Sequence, residues 1–388
     1  MISQAIEQFK KQFHKEPLIV SSPGRINLIG EHTDYNEGFV LPAAIDKKII
    51  YAIALNDTDT CNAYALFNGE KASFSLKDIK PGGGWINYLK GVVYQLQQRG
   101  LEVKGFDCVI TGDIPIGAGM SSSAAVEGGL NVALNHLLDF KLGRMDMAKV
   151  GQLAEHTFPG VKCGIMDQFA NLHGQKDRVM LLDCRSLEFT YFPFEFSKEY
   201  KIVLVNSMVH HSLASSEYNV RRAQCEEGVK ILREFFPDIS SLRNLTSAQV
   251  EQYKDKLPPK VYDRCRYVTQ ENERVEKACA HLQRNELKEF GELMYASHEG
   301  LSKLYEVSCP ELDFLADLAK TRSEVAGARM MGGGFGGCTI NLVQTERVEE
   351  FTAFMQEQFQ QHFGIIPEVY VTSIQEGANV LQPTVAIA

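Results

Sequence analysis

Residues 115–123 read Pro115-Ile-Gly-Ala-Gly-Met-Ser-Ser-Ser123, and the segments on either side decide how this stretch is understood. Upstream, Gly105–Thr111 alternates its bulky residues and predicts a short strand. Downstream, Ala125, Leu130, Ala133, Leu134, Leu137 and Leu138 recur at helical spacing, which predicts a buried helix over 124–138. Glycines at 117 and 119 allow a tight turn and a close backbone approach to a ligand. The serines then fall where a helix begins, where free N–H groups and the helix dipole favour an anion. The stretch Gly117, Ala118, Gly119, Met120, Ser121, Ser122 and Ser123 therefore reads as a phosphate cradle. A dinucleotide fingerprint fits less well, because Ser122 stands at its third glycine and no acidic strand end follows at the expected distance. A serine-nucleophile elbow needs a second glycine that Gly119-Met-Ser-Ser-Ser123 lacks. An ordinary helix cap needs one serine, not three with two glycines.

The 388 residues suggest two to three domains by length. The net charge of −9 argues against a nucleic-acid surface and leaves local basic groups to bind phosphate. Nine cysteines form no metal-ligand spacing, and neither a signal peptide nor a membrane-spanning run is read, so a cytoplasmic protein with free thiols is expected.

Two further stretches resist explanation by folding alone. In Ser21–Tyr35, Arg25, Glu31, His32, Asp34 and Tyr35 crowd between apolar segments, a density that suits hydrogen bonding to the hydroxyls of a sugar. A polar surface loop is the plain alternative. Five glycines among residues 332–337 predict a tight loop against another backbone or a ligand. Between them, Glu155 falls near the end of a helix expected over 142–158. Asp167, in Gly164-Ile-Met-Asp-Gln168, falls at a helix start, where the dipole favours an ionised acceptor. Tyr218 either packs a sugar face, donates a hydroxyl or sits in the core. Long helical periods dominate 217–236, 261–283, 286–305 and 310–322, and a βαβ-like unit closes the chain over 339–372.

Taken in order, Pro23-Gly-Arg-Ile-Asn-Leu-Ile-Gly-Glu-His-Thr-Asp-Tyr-Asn36, the serine cradle and Gly332-Gly-Gly-Phe-Gly-Gly337 resemble the GHMP small-molecule kinases. Gly30–Pro42, Gly164–Gln168 and Ser216–Arg222 are similar to the galactokinase family within them, and the resemblance runs from about residue 16 to the final strand. Met120 and Met331 depart from the usual Leu and the common Thr. The resemblance implies an α+β protein with a domain like the second domain of ribosomal protein S5 over 1–195 and a ferredoxin-like domain over 196–388. It implies transfer of the γ-phosphoryl of ATP to the C1 hydroxyl of α-D-galactose. In that carry-over Asp167 accepts the sugar's proton, or at least orients the hydroxyl, and Arg25 steadies the transferring group. Glu31, His32, Asp34, Gly164, Asp167 and Tyr218 form the sugar pocket, and Ser123 and Glu155 bind Mg²⁺. A monomer acting on sugar and ATP alone is expected, without nucleic acid or membrane.

Two other functions stay open on sequence. A kinase for N-acetylgalactosamine or galacturonate would need space that no motif reports. A silent galactose and ATP sensor would be expected to show damage to the serine–alanine run, which is intact here. No P-loop or protein-kinase signature occurs.

Overall fold

The computed structural model describes residues 1–209 and 214–381. Strands β1 (Leu18–Asn27), β3 (Pro42–Leu55), β4 (Thr60–Ala65), β5 (Glu70–Ser75), β6 (Phe106–Gly112) and β13 (Asn379–Leu381) form one sheet in the order β13-β1-β3-β6-β4-β5. Helix α1 (Ile2–Phe13) covers one face, where Ala5 and Phe9 meet Ile50, Ala52 and Val109. The other face carries α2 (Ile86–Gln98), α3 (Ser122–Leu137), α4 (Arg144–Thr157) and α5 (Met166–His173). Helix α3 is buried nearly all round, as its Ala- and Leu-rich sequence requires. A small sheet of β2 (Phe39–Val40), β7 (Arg178–Asp183) and β8 (Phe189–Pro193) flanks this layer.

A second sheet holds β9 (Tyr200–Asn206), β10 (Val325–Met330), β11 (Cys338–Gln344) and β12 (Glu368–Thr372), all antiparallel, in the order β10-β11-β9-β12. Two interleaved strand–helix–strand units give that order, which is the ferredoxin-like arrangement. Helices α10 (Pro310–Lys320) and α11 (Val348–Phe363) cover one face through Leu315, Ala319, Phe351, Met355 and Phe359. On the other face Ile202, Leu204, Ile340 and Leu342 join the core of the first sheet. Between β9 and β10 the chain builds a helical layer of α6 (Ala214–Leu232), α7 (Ser247–Gln252), α8 (Pro259–Gln283) and α9 (Leu287–Gly300).

Strands β5, β10 and β13 and helix α7 escaped the sequence reading. The expected helix over 286–305 stops at Gly300 and closes with a π turn over Leu301–Tyr305. A cut at residue 195 is crossed once more at the chain's end, since β13 hydrogen-bonds to β1. Residues 210–213 and 382–388 of the expected second domain lie outside the described residues. Among the described residues no helix is long and apolar enough to cross a membrane.

Candidate active site

Strand β1 loses register with β3 between Pro23 and Arg25. A bulge of this kind re-aims the side chain that follows it. Arg25 is thereby turned onto Asp167, the second residue of α5. Its Nε donates to Asp167 Oδ1 at 2.7 Å and its Nη2 to Oδ2 at 2.9 Å, the two-pronged geometry in which guanidinium holds carboxylate most firmly. The arginine side chain is 5% exposed and the aspartate 27%, so the pair is covered on the protein side and open on the other.

The same arginine organises the predicted cradle. Its backbone N–H donates to Met120 O at 3.1 Å, and Nη1 donates to Gly119 O. With the carbonyls drawn toward Arg25, the amides of Gly119, Met120 and Ser121 donate to no acceptor among the described residues. The turn needs positive φ at Gly117, Gly119 and Ser121. Ser121 is the N-cap of α3, yet its hydroxyl caps no amide and donates instead to Asp167 Oδ2. The 332–337 loop lies against the back of the cradle: a Cβ on Gly332 would stand 3.3 Å from Gly119 O. Met120 and Met331 are each 1% exposed, so both family departures are packing residues.

Deeper along α3 and α4, the Gln168 amide bridges Glu127 Oε2 at 3.1 Å and Glu155 Oε2 at 3.0 Å. Burial, and then the nearby charge of Asp167, push the Glu155 carboxyl up to about 7, although the hydrogen bond of Ser123 pulls the other way. Glu127, wholly buried, is raised further, again by burial first. This corner is short of positive charge and offers hard oxygen donors, Ser123 and Glu155, which is the chemistry a magnesium ion requires. Among the described residues no group of three or more His, Cys, Asp or Glu side chains is arranged to hold a metal ion by itself.

On the sugar-motif side, Glu31 is 2% exposed and its Oε1 accepts from Arg329 Nη2 at 3.0 Å and from Gly332 N–H at 2.8 Å. His32 has both ring nitrogens engaged: Nε2 faces Gly333 O at 3.2 Å and Nδ1 faces the Tyr35 hydroxyl at 2.7 Å. A carbonyl only accepts, so Nε2 carries the proton and Nδ1 accepts from Tyr35. Burial lowers the imidazole to about 3, which keeps it neutral. The ring is therefore a fixed wall of the pocket, with Tyr218 at 5.1 Å between centroids, and not the free donor its sequence position suggested. Asp34 is raised to about 7, first by burial and then by the charge of Asp167. It approaches Gly164 so closely that a Cβ there would lie 2.0 Å from Asp34 Oδ2.

Arg25, Glu31, His32, Asp34, Glu155, Asp167 and Tyr218 converge on one cavity of about 170 Å³. Gly164 acts on it through Asp34, and the cradle through Arg25 and Ser121. Sequence reasoning missed Arg329, which joins Glu31 to the carbonyls of Asn27 and Leu28, and Gln168, which joins two buried acids. Arg329 stood beside the glycine loop, but nothing local marked it as the partner of Glu31. Val161, Cys163 and Met166 also line the cavity, unremarked among apolar neighbours.

An anion cradle at a helix start, a bidentate Arg–Asp pair and a sugar-sized cavity between two α+β layers define a small-molecule kinase of the GHMP class. Sequence signatures described as the GHMP kinases N terminal domain and the GHMP kinases C terminal match residues 87–175 and 277–361. A third, the galactokinase galactose-binding signature, matches residues 7–55. The chain is 42% identical over 381 residues to a galactokinase of Clostridium perfringens, covering 96% of this chain and 98% of that protein. It is 39% identical to the human galactokinase, covering 98% and 97%. The crystal structure of Lactococcus lactis galactokinase complexed with galactose superposes with a TM-score of 0.94 at 36% identity, covering 98% of this chain and all of that one. The chain belongs to the galactokinase family.

Proposed function

We propose that the 170 Å³ cavity is where the γ-phosphoryl of ATP passes to the C1 hydroxyl of α-D-galactose, giving galactose 1-phosphate. The observation that carries this reading is the Arg25–Asp167 pair, open to the cavity on one side and hydrogen-bonded on the other, through Arg25, to the carbonyls of the cradle at Gly119 and Met120. Phosphoryl transfer depends on positioning and charge neutralisation more than on covalent chemistry, and this arrangement supplies both. The amides of residues 117–123 hold the ATP phosphates. Asp167 accepts the hydrogen bond and then the proton of the C1 hydroxyl. Arg25 holds Asp167 by its two-pronged contact and stands near the equatorial oxygens of the transferring group, where its charge is worth most. Asp34 and Tyr218 face the sugar, Glu31 lines the pocket with Oε1 held by Arg329 and Gly332, and His32 forms its wall with both ring nitrogens engaged.

Ser123 and Glu155 would hold Mg²⁺, which when bound offsets phosphate charge. Two units meeting near residue 195, a monomeric state and a cytoplasmic location complete the proposal. The intact serine run and the paired Asp167 support an enzyme over a silent sensor.

The test is ADP release with Mg²⁺ and ATP against galactose, glucose, N-acetylgalactosamine and galacturonate. Turnover with galactose alone is expected. Turnover confined to a modified sugar would move the substrate, and tight galactose binding without any turnover would leave a sensor.

A further inference from the structure

An ionised carboxylate offers about four lone-pair positions, two on each oxygen, and donates nothing. In Asp167 this chain fills three of them. Oδ1 accepts from Arg25 Nε at 2.7 Å, and Oδ2 accepts both from Arg25 Nη2 at 2.9 Å and from the Ser121 hydroxyl. Among the described residues nothing fills the remaining position, on Oδ1, and the carboxylate lines the cavity. Ser121 reaches Oδ2 because its backbone is left-handed, with φ 56° and ψ 56°. An N-cap serine ordinarily has an extended backbone and accepts from the amide of the second or third helical residue. The left-handed turn instead directs the hydroxyl away from its own helix and onto Asp167.

We propose that Ser121 is a positioning residue for the acceptor carboxylate. By occupying Oδ2 it makes Oδ1 the oxygen that takes the sugar's proton, and it ties that oxygen to the loop on which ATP sits. This rests on the phosphoryl-transfer reading above. In the step, the C1 O–H bond breaks and its proton passes to Asp167 Oδ1. The electron pair of the C1 oxygen forms the new bond to the γ-phosphorus as the bond from that phosphorus to the β–γ bridging oxygen breaks. ADP leaves with the electron pair of the broken phosphorus–oxygen bond, and Asp167 later returns the proton to water. Arg25 reads the same loop through the carbonyls of Gly119 and Met120, so phosphate seated on the cradle fixes both partners of Asp167 together.

Two variants separate the hydroxyl from the backbone. Ser121→Gly keeps the left-handed turn and removes the donor; Ser121→Asn tolerates the same turn and restores an N–H donor. Loss of a charge-assisted hydrogen bond predicts a kcat lowered roughly 10- to 100-fold in Ser121→Gly. The KM for ATP should move less than about threefold, and Ser121→Asn should recover most of the kcat. An unchanged kcat with a raised KM for ATP would overturn the proposal and make the hydroxyl a phosphate ligand only. So would a folded Ser121→Asn enzyme that binds ATP normally and recovers nothing. If Ser121→Gly does not fold, Ser121→Ala takes its place with the same two outcomes. An Asp167→Ala enzyme measured alongside keeps the cases apart: full turnover there would refute the role of Asp167 itself, whereas inactivity there with a normal Ser121→Gly enzyme refutes only the role of Ser121.

Discussion

Arg25 and Arg329 each sit against a carboxylate, and the two pairs are put to different uses. Arg329 is wholly buried, its partner Glu31 is 2% exposed, and its other donors go to the carbonyls of Asn27, Leu28 and Met330. That pair stitches the sugar motif to β10 and the glycine loop. Arg25 is nearly as buried, but its partner Asp167 opens onto the cavity. The Arg329 guanidinium is spent on Glu31 Oε1 and backbone carbonyls and so holds shape, whereas the Arg25–Asp167 pair leaves its carboxylate more open to the cavity. Asp34 and Glu155 extend the contrast. Among the described residues neither forms an ion pair, and burial pushes both up to about 7.

Replacing the open pair's arginine should have the largest effect. Arg25→Met is expected to lower kcat by about 10³-fold or more, the scale at which an arginine steadies a transferring phosphoryl group, with a modest change in melting temperature. Steady-state kinetics beside a thermal melt would check both halves. Arg329→Met should behave in the opposite way. It leaves Glu31 buried without its cation, a loss of about 3–5 kcal/mol. Its melting temperature should drop on the order of 10 °C while kcat at saturating galactose stays within about tenfold. If the two variants exchanged these behaviours, the contrast between the pairs would collapse.

A smaller effect is expected at Gly164. An alanine there would place its Cβ 2.0 Å from Asp34 Oδ2 and 2.1 Å from Asp34 Cγ, so the carboxylate must swing away from the sugar side. The KM for galactose should rise about tenfold or more with the KM for ATP little moved. The smallest effect concerns pH. Burial raises Asp34 from its ordinary 3.8 to about 7, so the native state keeps a proton that the unfolded chain has lost. The stabilisation this gives is complete below about pH 4 and is lost as pH rises through about 7. Asp34→Asn escapes that loss. Without ligands, its melting temperature should gain on the wild type by a few degrees between pH 5 and pH 7.5.

The parts legible in sequence were those written locally. The cradle and α3 follow one another along the chain, and helical periodicity announced most of the second half. Strand β10 was hidden because Val325-Ala-Gly-Ala-Arg-Met330 carries small residues where a strand usually shows bulky ones. The fold explains them: Gly327 packs on Gly291 of α9 so closely that a Cβ would lie 2.6 Å from the Gly291 Cα. Strand β13 forms only by returning to β1, a tertiary event with no local signal. The site shows the same division. Arg25 and Asp167 are 142 residues apart, and no periodicity joins them; the family resemblance did. The sequence placed the backbone of Ser121 in the cradle but did not show that its side chain reaches Asp167. The resemblance placed His32 in the sugar pocket, and the fold adds that both its ring nitrogens face protein groups.

The claim at the centre of this account is that Asp167 does chemistry and does not merely hold the pocket. Its most direct test is galactose 1-phosphate formation and galactose binding, measured on the same Asp167→Ala protein with Mg²⁺ and ATP. Retained galactose binding, within about tenfold of wild type, together with turnover lowered by about 10³-fold or more is the predicted result. Turnover close to wild type would contradict it, and so would a loss of activity that saturating galactose restores in full.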